Sequence, residues 1–152
     1  MQRLITKYFI RSGYSVGISD LLVHPDLKMK NENIMIKAKE EIVNTTKQVH
    51  LNIFENLSSN IDEIYEAKIK NILAKTSQEL EEVISQTIST DNRIQYMIDS
   101  GSKGSSTNIL QMLCCLGQQE VTGKRIPLSF ENRTLPHYPK YDNGIESRGY
   151  IT

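Results

Sequence analysis

The sequence predicts a mainly α-helical fold, in which a long antiparallel helical hairpin is followed by short helices and a small irregular or β segment. Three observations predict it. Two apolar stripes with helical spacing lie between residues 31 and 88, and neither stretch contains Gly or Pro. Two shorter helical patterns follow, separated by a glycine-rich loop. Residues 118–152 are interrupted by Pro and Gly, which is typical of turns and short strands.

Composition excludes several classes of protein. The 152 residues carry 18 basic and 18 acidic side chains, so the charge expected of a free-standing nucleic-acid binder is absent. The only cysteines, Cys114 and Cys115, are adjacent and have no metal-ligand spacing around them, which favours free thiols in a reducing compartment. No apolar run approaches the ~20 residues that span a bilayer. We expect a soluble, intracellular segment without a membrane partner.

The first zone, residues 1–28, begins with a short predicted helix. Leu4 and Tyr8 share one face of RLITKYFIRSG, and Gly13 is a helix stop. The following YSVGISD is predicted to be extended chain or a tight loop, and residues 24–26 a turn.

The second zone, residues 29–90, is the predicted helical hairpin. Its first apolar stripe consists of Met35, Ala38, Ile42, Val49, Ile53 and Leu57. Its second stripe consists of Ile64, Ile72, Leu73, Leu80, Val83 and Ile84. Residues 58–60 break the pattern, and Asn60 with Glu63 resembles a capping box. A short connection makes the two helices antiparallel neighbours.

The third zone, residues 91–117, contains two short predicted helices. DNRIQYMIDSG ends at Gly101, the loop GSKGSS follows, and TNILQMLCCLG begins a second helix capped by Ser106 or Thr107. Its apolar face consists of Ile109, Met112, Leu113 and Leu116. In the fourth zone, residues 118–152, GKRIPLSF (123–130) is a plausible strand and the rest is irregular chain.

The loop around Lys103 has two interpretations. Its glycines would let backbone amides turn toward a ligand, the next helix would present its positive end, and the lysine could meet phosphate oxygens. The alternative is a plain turn between helices, because the loop does not satisfy the G-x-x-x-x-G-K-[ST] pattern of a P-loop. Spacing alone leaves both open.

A second polar cluster combines Gln118 and Gln119 with Gly123, Lys124 and Arg125. It is either a solvated turn before a strand or a polar wall that faces a nucleotide or nucleic acid. No Ser–His–Asp or Cys–His arrangement and no carboxylate pair points to an active site. On residue patterns alone, we find no catalytic centre.

Five stretches, taken in order, resemble the largest subunit of eukaryotic-type, RNA polymerase II-like DNA-directed RNA polymerases, including those of large DNA viruses. They are GYSVGISD (13–20), DSGSKGSSTNILQM (99–112), LGQQEVTGKRIPLSF (116–130), RTLPHYPKYD (133–142) and ESRGYI (146–151). The resemblance implies that the chain is a fragment of a multi-domain subunit. Residues 1–28 would end the pore domain, 29–90 would be the funnel hairpin, 91–117 the inner funnel helices, and 118–152 the approach to the bridge helix.

That position implies a function in DNA-templated transcription. The fragment would line the secondary channel, through which nucleotides enter, pyrophosphate leaves and backtracked RNA passes. Lys103 matches the lysine that contacts the incoming triphosphate. The wall beside the bridge helix, which also helps bind α-amanitin in polymerase II, matches Leu110, Gln111, Gln118, Gln119, Gly123, Lys124 and Arg125.

The resemblance also implies partners and a location. The partners are the other polymerase subunits (the second-largest especially), nucleoside triphosphates, the DNA template with the RNA 3′ end, and the cleavage-stimulating elongation factor. The location is the nucleus, or a viral factory or virion. The aspartate triad that holds catalytic Mg²⁺ in the family has no NADFDGD-like counterpart here, so the fragment alone is expected to be inactive and without a cofactor.

The sequence departs from the family pattern at two positions near the wall beside the bridge helix. The stretch 73–77 contains no arginine where the family's toxin site uses one, and Leu110 replaces a small residue. Two alternatives to a polymerase fragment remain at this stage: a free-standing helical-hairpin interaction module, and an independent phosphate-binding enzyme that uses the Lys103 loop. Coding sequence beyond Thr152 would distinguish the interaction module from a polymerase fragment. Nucleotide binding by the isolated chain would distinguish the phosphate-binding enzyme from it.

Overall fold

The computed structural model describes residues 1–51 and 61–152. The fold is mainly α-helical, as predicted, with only two-residue strands. The helices are α1 Gln2–Ser12, α2 Pro25–His50, α3 Ile61–Thr87, α4 Arg93–Asp99 and α5 Ser106–Leu113, with a 3-10 turn at Ile18–Leu21. The strands are β1 Gly117–Gln118, β2 Glu120–Val121, β3 Lys124–Arg125 and β4 Tyr150–Ile151.

Helix α1 ends where the sequence predicts. Gly13 adopts φ 64°, a left-handed conformation that L side chains rarely adopt, and its amide donates to the Phe9 carbonyl. None of the α1 side chains is buried. In the next segment, predicted to be extended chain or a tight loop, Ile18–Leu21 forms a 3-10 turn.

Asp20 fastens this turn to the start of α4. Its carboxylate accepts hydrogen bonds from the Gly17 amide at 2.7 Å and the Arg93 amide at 3.2 Å. Those two backbone bonds hold the pKa of Asp20 below its usual range, against the opposing effect of burial. The Asn92 side chain donates to the Asp20 carbonyl at 2.7 Å and also caps α4.

Helix α2 begins about one and a half turns earlier than the sequence reading placed it. Residues 24–26, predicted to be a turn, are its N-terminus: Pro25 is the first helical residue, and His24 Nδ1 accepts from the Asp26 amide at 3.4 Å. Proline fits here because the first helical amide has no intrahelical acceptor and its fixed φ already suits the helix. The turn prediction was therefore wrong at these positions.

Helices α2 and α3 pack against each other in antiparallel orientation, since Thr46 near the end of α2 contacts Tyr65 near the start of α3 at 3.1 Å between the hydroxyls. At 1.5 Å per residue each helix is about 40 Å long. The predicted break at 58–60, the cap at Asn60, and the stripe positions Ile53 and Leu57 lie outside the described residues. None of the helices in the described part of the chain is long and apolar enough to cross a membrane.

The core joins the hairpin to the later segments. Its buried residues are Leu27, Ile42, Ile69, Leu73, Leu80, Ile84, Ile94, Ile109, Leu110, Cys115, Ile145 and Tyr150. The predicted second stripe omitted Ile69, although its side chain is fully buried. Tyr150, near the end of the chain, is 2% exposed. The irregular last zone therefore contributes to the same core as the helices.

Helix α5 differs from its prediction in its cap and its apolar face. Ser105, not Ser106 or Thr107, is the N-cap, and it pairs with Asn108 in a capping box. Met112 and Leu116, both expected on the buried face, are about half exposed, whereas Leu110 is buried.

The strands form two small antiparallel pairs. Strand β1 pairs with β4 across most of the last zone, and β2 pairs with β3 through the turn Thr122–Gly123. Both turn residues have positive φ, 51° and 78°, as a two-residue hairpin of this kind requires. Of the predicted strand at 123–130, Lys124–Arg125 forms β3 and Phe130 forms an isolated bridge with Arg133. The strand does not continue between them, because Pro127 cannot donate to a ladder.

Candidate functional site

A cavity of about 560 Å³ lies between α3, α5, β1 and the β2–β3 hairpin. We refer to it as the α3–α5 cavity. Its lining residues are Asp62, Glu63, Glu66, Ala67, Lys70, Leu73, Ala74, Ser77, Thr107, Leu110, Gln111, Leu116, Gly117, Gln118, Glu120, Gly123, Lys124 and Arg125. Elements far apart in the chain therefore share one concave surface, which is the usual form of a ligand or partner site.

Six of the eight residues singled out from the sequence line this cavity: Leu110, Gln111, Gln118, Gly123, Lys124 and Arg125. Gln119 and Lys103 do not line it. The two polar clusters predicted from the sequence therefore differ in position. The glutamine–lysine–arginine cluster and α5 share the surface of this cavity, and Lys103 lies outside it.

Arg125 is the buried cation of the cavity wall. Its side chain is 2% exposed, and its Nε and Nη2 atoms donate to the two carboxylate oxygens of Glu66 at 2.7 and 2.8 Å. The guanidinium also lies 5.7 Å from the ring centroid of Tyr65. Arg125 therefore holds the hairpin to α3, and Lys124, whose side chain is exposed, is the cation available at the surface.

A second ion pair lies one helical turn further along α3. Lys70 Nζ is 2.9 Å from Glu120 Oε1 and donates to the Gly123 carbonyl at 3.3 Å. Glu120 and Arg125 are direct cross-strand partners, and Glu66 and Lys70 are four residues apart on one helix face. We call these four residues the ion-pair clamp. The acidic and basic residues of the hairpin, Glu120 and Arg125, therefore face residues of opposite charge on α3.

Sequence reasoning missed Glu66, Lys70 and Glu120. The available signals were a Glu–Lys pair at i, i+4 and a Thr–Gly turn flanked at equal distance by Glu120 and Arg125. Each is common alone. Neither signal indicates which face of α3 the β2–β3 hairpin contacts, because that contact depends on the tertiary structure.

The clamp shifts the titration of Glu66. Burial by itself raises the pKa of a carboxyl, but the hydrogen bonds and charge of Arg125, with the charges of Arg148 and Lys124, outweigh it. The net pKa of Glu66 is below its usual range. Arg148 Nη2 lies 3.4 Å from Glu66 Oε1, so one carboxylate offsets two guanidiniums.

The two glutamines have different environments. Gln118 Nε2 donates to the carbonyls of Gln119 at 2.6 Å and Arg148 at 2.9 Å, so backbone contacts hold its amide in place. Its Oε1 atom is buried and has no hydrogen-bond partner in the described part of the chain. The Gln119 amide donates to the Gly149 carbonyl at 2.8 Å, which links the ESRGYI segment to this wall.

The Lys103 loop is more self-contained than expected. The amides of Ser102 and Lys103 both donate to the Met97 carbonyl, at 3.1 and 3.3 Å, and so do not turn toward a ligand. The hydroxyls of Ser100 and Ser102 bond the same carbonyl. These two amides are therefore not available to a phosphate, and the phosphate interpretation of the loop depends on the Lys103 side chain. The Lys103 side chain is exposed, and within residues 1–51 and 61–152 it forms no ion pair.

The described residues do not fit a magnesium site. Within the two described ranges there is no group of three or more His, Cys, Asp or Glu side chains that could hold a metal ion. The carboxylates of the α3–α5 cavity are used instead in ion pairs with lysine and arginine, as for Glu66 and Glu120. We therefore assign Mg²⁺ no ligand within residues 1–51 and 61–152.

Comparison with known proteins gives the same family as the sequence motifs. Residues 43–151 match the family described as RNA polymerase Rpb1, domain 4. The chain is also 32% identical, over 154 aligned residues, to the DNA-directed RNA polymerase III subunit RPC1 of Debaryomyces hansenii. That alignment covers 99% of this chain but 10% of the relative, so the chain spans about a tenth of the relative's length.

Proposed function

The chain belongs to the family of RNA polymerase largest subunits, in the part described as Rpb1 domain 4, and on that premise we propose that it lines the secondary channel of a DNA-directed RNA polymerase. In this role it would guide nucleoside triphosphates inward, and pyrophosphate and backtracked RNA outward. The parent enzyme would be a nuclear nucleotidyltransferase, with the second-largest subunit, DNA template, RNA 3′ end and a cleavage-stimulating factor among its partners. Mg²⁺ would be held by other parts of that enzyme.

The observation that carries the proposal is the composition of the α3–α5 cavity. Residues from α5, β1 and the hairpin, which the resemblance assigned to one wall, line one concave surface although up to 15 positions separate them. If the chain were a free-standing hairpin module, polar residues of segment 118–152 would not need to pack against α3. The match to the family extends across residues 43–151, well beyond the hairpin, and this also argues against a free-standing hairpin module.

Within this wall we assign different roles to the two neighbouring cations. Lys124 is exposed and would face the channel, where a mobile ammonium attracts phosphate oxygens. Arg125 is buried against Glu66 and would position the hairpin without contacting the substrate. Gln118, whose side-chain Nε2 donates to two backbone carbonyls, would hold the wall in place next to Gln119.

Lys103 would act by charge alone. Its exposed ammonium, on a loop whose backbone is fixed at Met97, could approach a triphosphate without losing an existing ion pair in the described part of the chain. Its contribution would be positioning and charge neutralisation, since a cation near a triphosphate offsets the negative charge of the phosphate oxygens.

The test is Lys103→Ala in the assembled polymerase. Loss of one charge-assisted phosphate contact, worth about 1.5–3 kcal/mol, predicts a rise in KM for nucleoside triphosphates of about tenfold or more. Binding of the DNA template should change little. The matched control is Lys30→Ala, which removes an exposed lysine of α2 and should leave KM unchanged.

Two results would count against this role. One is an unchanged KM for Lys103→Ala. The other is nucleotide binding by the isolated chain at millimolar concentration, because that would indicate an independent phosphate site instead of one completed by the assembly. We expect no such binding, since the amides of Ser102 and Lys103 are already bonded to the Met97 carbonyl.

A further inference from the structure

We propose that Arg148 is a positioning residue for the wall formed by Gln118, Gln119 and Lys124, and that it acts on nucleotides through Lys124 and Gln118. The inference rests on the proposed function, because it requires that this wall meets nucleoside triphosphates. Arg148 lies in the ESRGYI stretch, residues 146–151. Its side chain is 13% exposed and does not line the α3–α5 cavity, so its effect on a nucleotide is indirect.

The guanidinium of Arg148 bonds three separate segments of the chain. Its Nε atom donates to the Ile126 carbonyl at 2.8 Å, and its Nη1 atom donates to Asn143 Oδ1 at 2.6 Å. Its Nη2 atom lies 3.4 Å from Glu66 Oε1 on α3. One side chain therefore fixes the chain that leaves β3, the chain at Asn143 and the long helix relative to one another.

The bond to Ile126 affects Lys124, the exposed cation of the wall. Ile126 directly follows β3, which consists of Lys124 and Arg125. The β2–β3 hairpin has only two paired residues in each strand, and a short isolated hairpin is marginally stable by itself. Arg148 holds the Ile126 carbonyl on one side of Lys124, and Arg125 is held by Glu66. These two anchors fix the direction in which the Lys124 side chain leaves the wall.

The backbone of Arg148 holds the glutamine part of the wall. Its carbonyl accepts from Gln118 Nε2 at 2.9 Å, and the next carbonyl, that of Gly149, accepts from the Gln119 amide at 2.8 Å. The Arg148 amide donates to the Gly144 carbonyl at 3.1 Å. A substitution that displaces Arg148 therefore also displaces the acceptors of both glutamines.

Charge alone does not explain an arginine at this position. Glu66 is already paired through both carboxylate oxygens with Arg125. Burial and the charge of Arg125 lower the pKa of Arg148, so the second guanidinium is held beside this carboxylate at an electrostatic cost. A guanidinium has donors in several fixed directions, whereas a lysine ammonium is a single point charge. The three bonds in three directions are what arginine provides here and lysine cannot.

The experiment is steady-state nucleotide incorporation by the assembled polymerase carrying Arg148→Lys, which keeps the charge beside Glu66 but removes the planar fork. KM for nucleoside triphosphates should rise about threefold to tenfold, equivalent to part of one charge-assisted contact. The kcat should stay the same, as expected for loss of uniform binding. Asn143→Ala, which removes only the acceptor of the Nη1 bond, should raise KM by a smaller factor.

Arg93→Lys is the matched control. Arg93 is a half-exposed arginine that pairs with Asp20 outside the α3–α5 cavity. This substitution should leave KM unchanged.

A double substitution separates positioning from general stability. Lys124→Ala should raise KM, and the double variant Lys124→Ala with Arg148→Lys should fall short of the product of the two single effects. Coupled residues behave in this way, whereas residues that act independently give effects that multiply. Single effects that multiply fully would overturn the inference.

An unchanged KM for Arg148→Lys would also overturn it, whatever the melting temperature of that variant, since Arg148 would then contribute to stability alone. If the Arg148→Lys variant does not assemble, the KM of Asn143→Ala decides in its place. The result for Lys103→Ala distinguishes this failure from failure of the proposed function. If Lys103→Ala raises KM and Arg148→Lys does not, the inference about Arg148 alone is wrong. If neither substitution changes KM, the proposed function is wrong as well.

Discussion

Arg125 and Glu66 form a two-pronged ion pair that joins the β2–β3 hairpin to α3, with donor–acceptor distances of 2.7 and 2.8 Å. The arginine is the buried partner and the glutamate the half-exposed one. A guanidinium suits this position because its planar fork matches both oxygens of a carboxylate. The pair determines how the predicted channel wall sits on the long hairpin.

Glu66→Gln should destabilise the chain by about 2 kcal/mol. This is below the roughly 3–5 kcal/mol for breaking a fully buried pair, because the Glu66 side chain is 35% exposed and partly screened. The change leaves the buried Arg125 cation uncompensated. Urea unfolding followed by circular dichroism measures the loss. Glu79→Gln is the control, since its exposed pair with Lys75 at 4.0 Å should contribute less than about 0.5 kcal/mol. Equal effects of the two substitutions would contradict the clamp.

The stabilisation from Glu66 should depend on pH. Its folded pKa is below the unfolded value of 4.5, so its contribution is complete above about pH 4.5 and decreases as the pH falls through the folded pKa. The stability difference between the wild type and Glu66→Gln should therefore be largest near neutral pH and shrink as the pH falls below the unfolded pKa of 4.5. A difference that stays constant over this range would show that the carboxylate charge is not what stabilises the hairpin. Taking a difference removes the similar acid sensitivity of Asp20 and Glu146, whose pKa values are also lowered.

Ile69→Ala should be among the costliest substitutions on α3. Ile69 lies on α3 and is fully buried in the core, and truncating such a residue leaves a cavity that costs about 2–5 kcal/mol. Ile36→Ala is the matched control, because Ile36 is 53% exposed and should lose less than about 1 kcal/mol. Thermal unfolding of both variants compares them directly, and similar melting temperatures would mean that Ile69 is not a core residue.

Gly149→Ala should disturb the wall formed by Gln118. Gly149 has φ +99°, and an added Cβ would lie 2.7 Å from two atoms of Ile126 and 3.3 Å from Gln118 Nε2. We expect a loss of about 2 kcal/mol or more from strain and steric overlap together. Gly123→Ala is the control: its φ is +78°, but nothing lies within 4 Å, so only the backbone cost of about 1 kcal/mol applies. Equal urea midpoints for the two variants would show that the contact with Ile126 relaxes without cost.

Several features could be read from the sequence because they depend on neighbours in the chain. Helical spacing of apolar residues predicted α2 and α3, a glycine that tolerates positive φ predicted the end of α1, and the ordered motifs identified the polymerase family. The errors were also local. Residues 24–26 were read as a turn, although proline suits a first helical position as well as a turn, and the cap of α5 was placed one or two residues late.

Residue patterns by themselves determined the helical class, the long hairpin and the set of polar residues that merit attention. Only the tertiary structure decided which of those residues are buried, paired or exposed. It buried Arg125 against Glu66, left Lys124 and Lys103 exposed, used the loop amides internally, and brought Arg148 next to Glu66. The physical reason is that local propensity acts over a few residues, whereas burial and charge pairing depend on which surfaces meet. Those surfaces come from segments as far apart as Met35 and Tyr150.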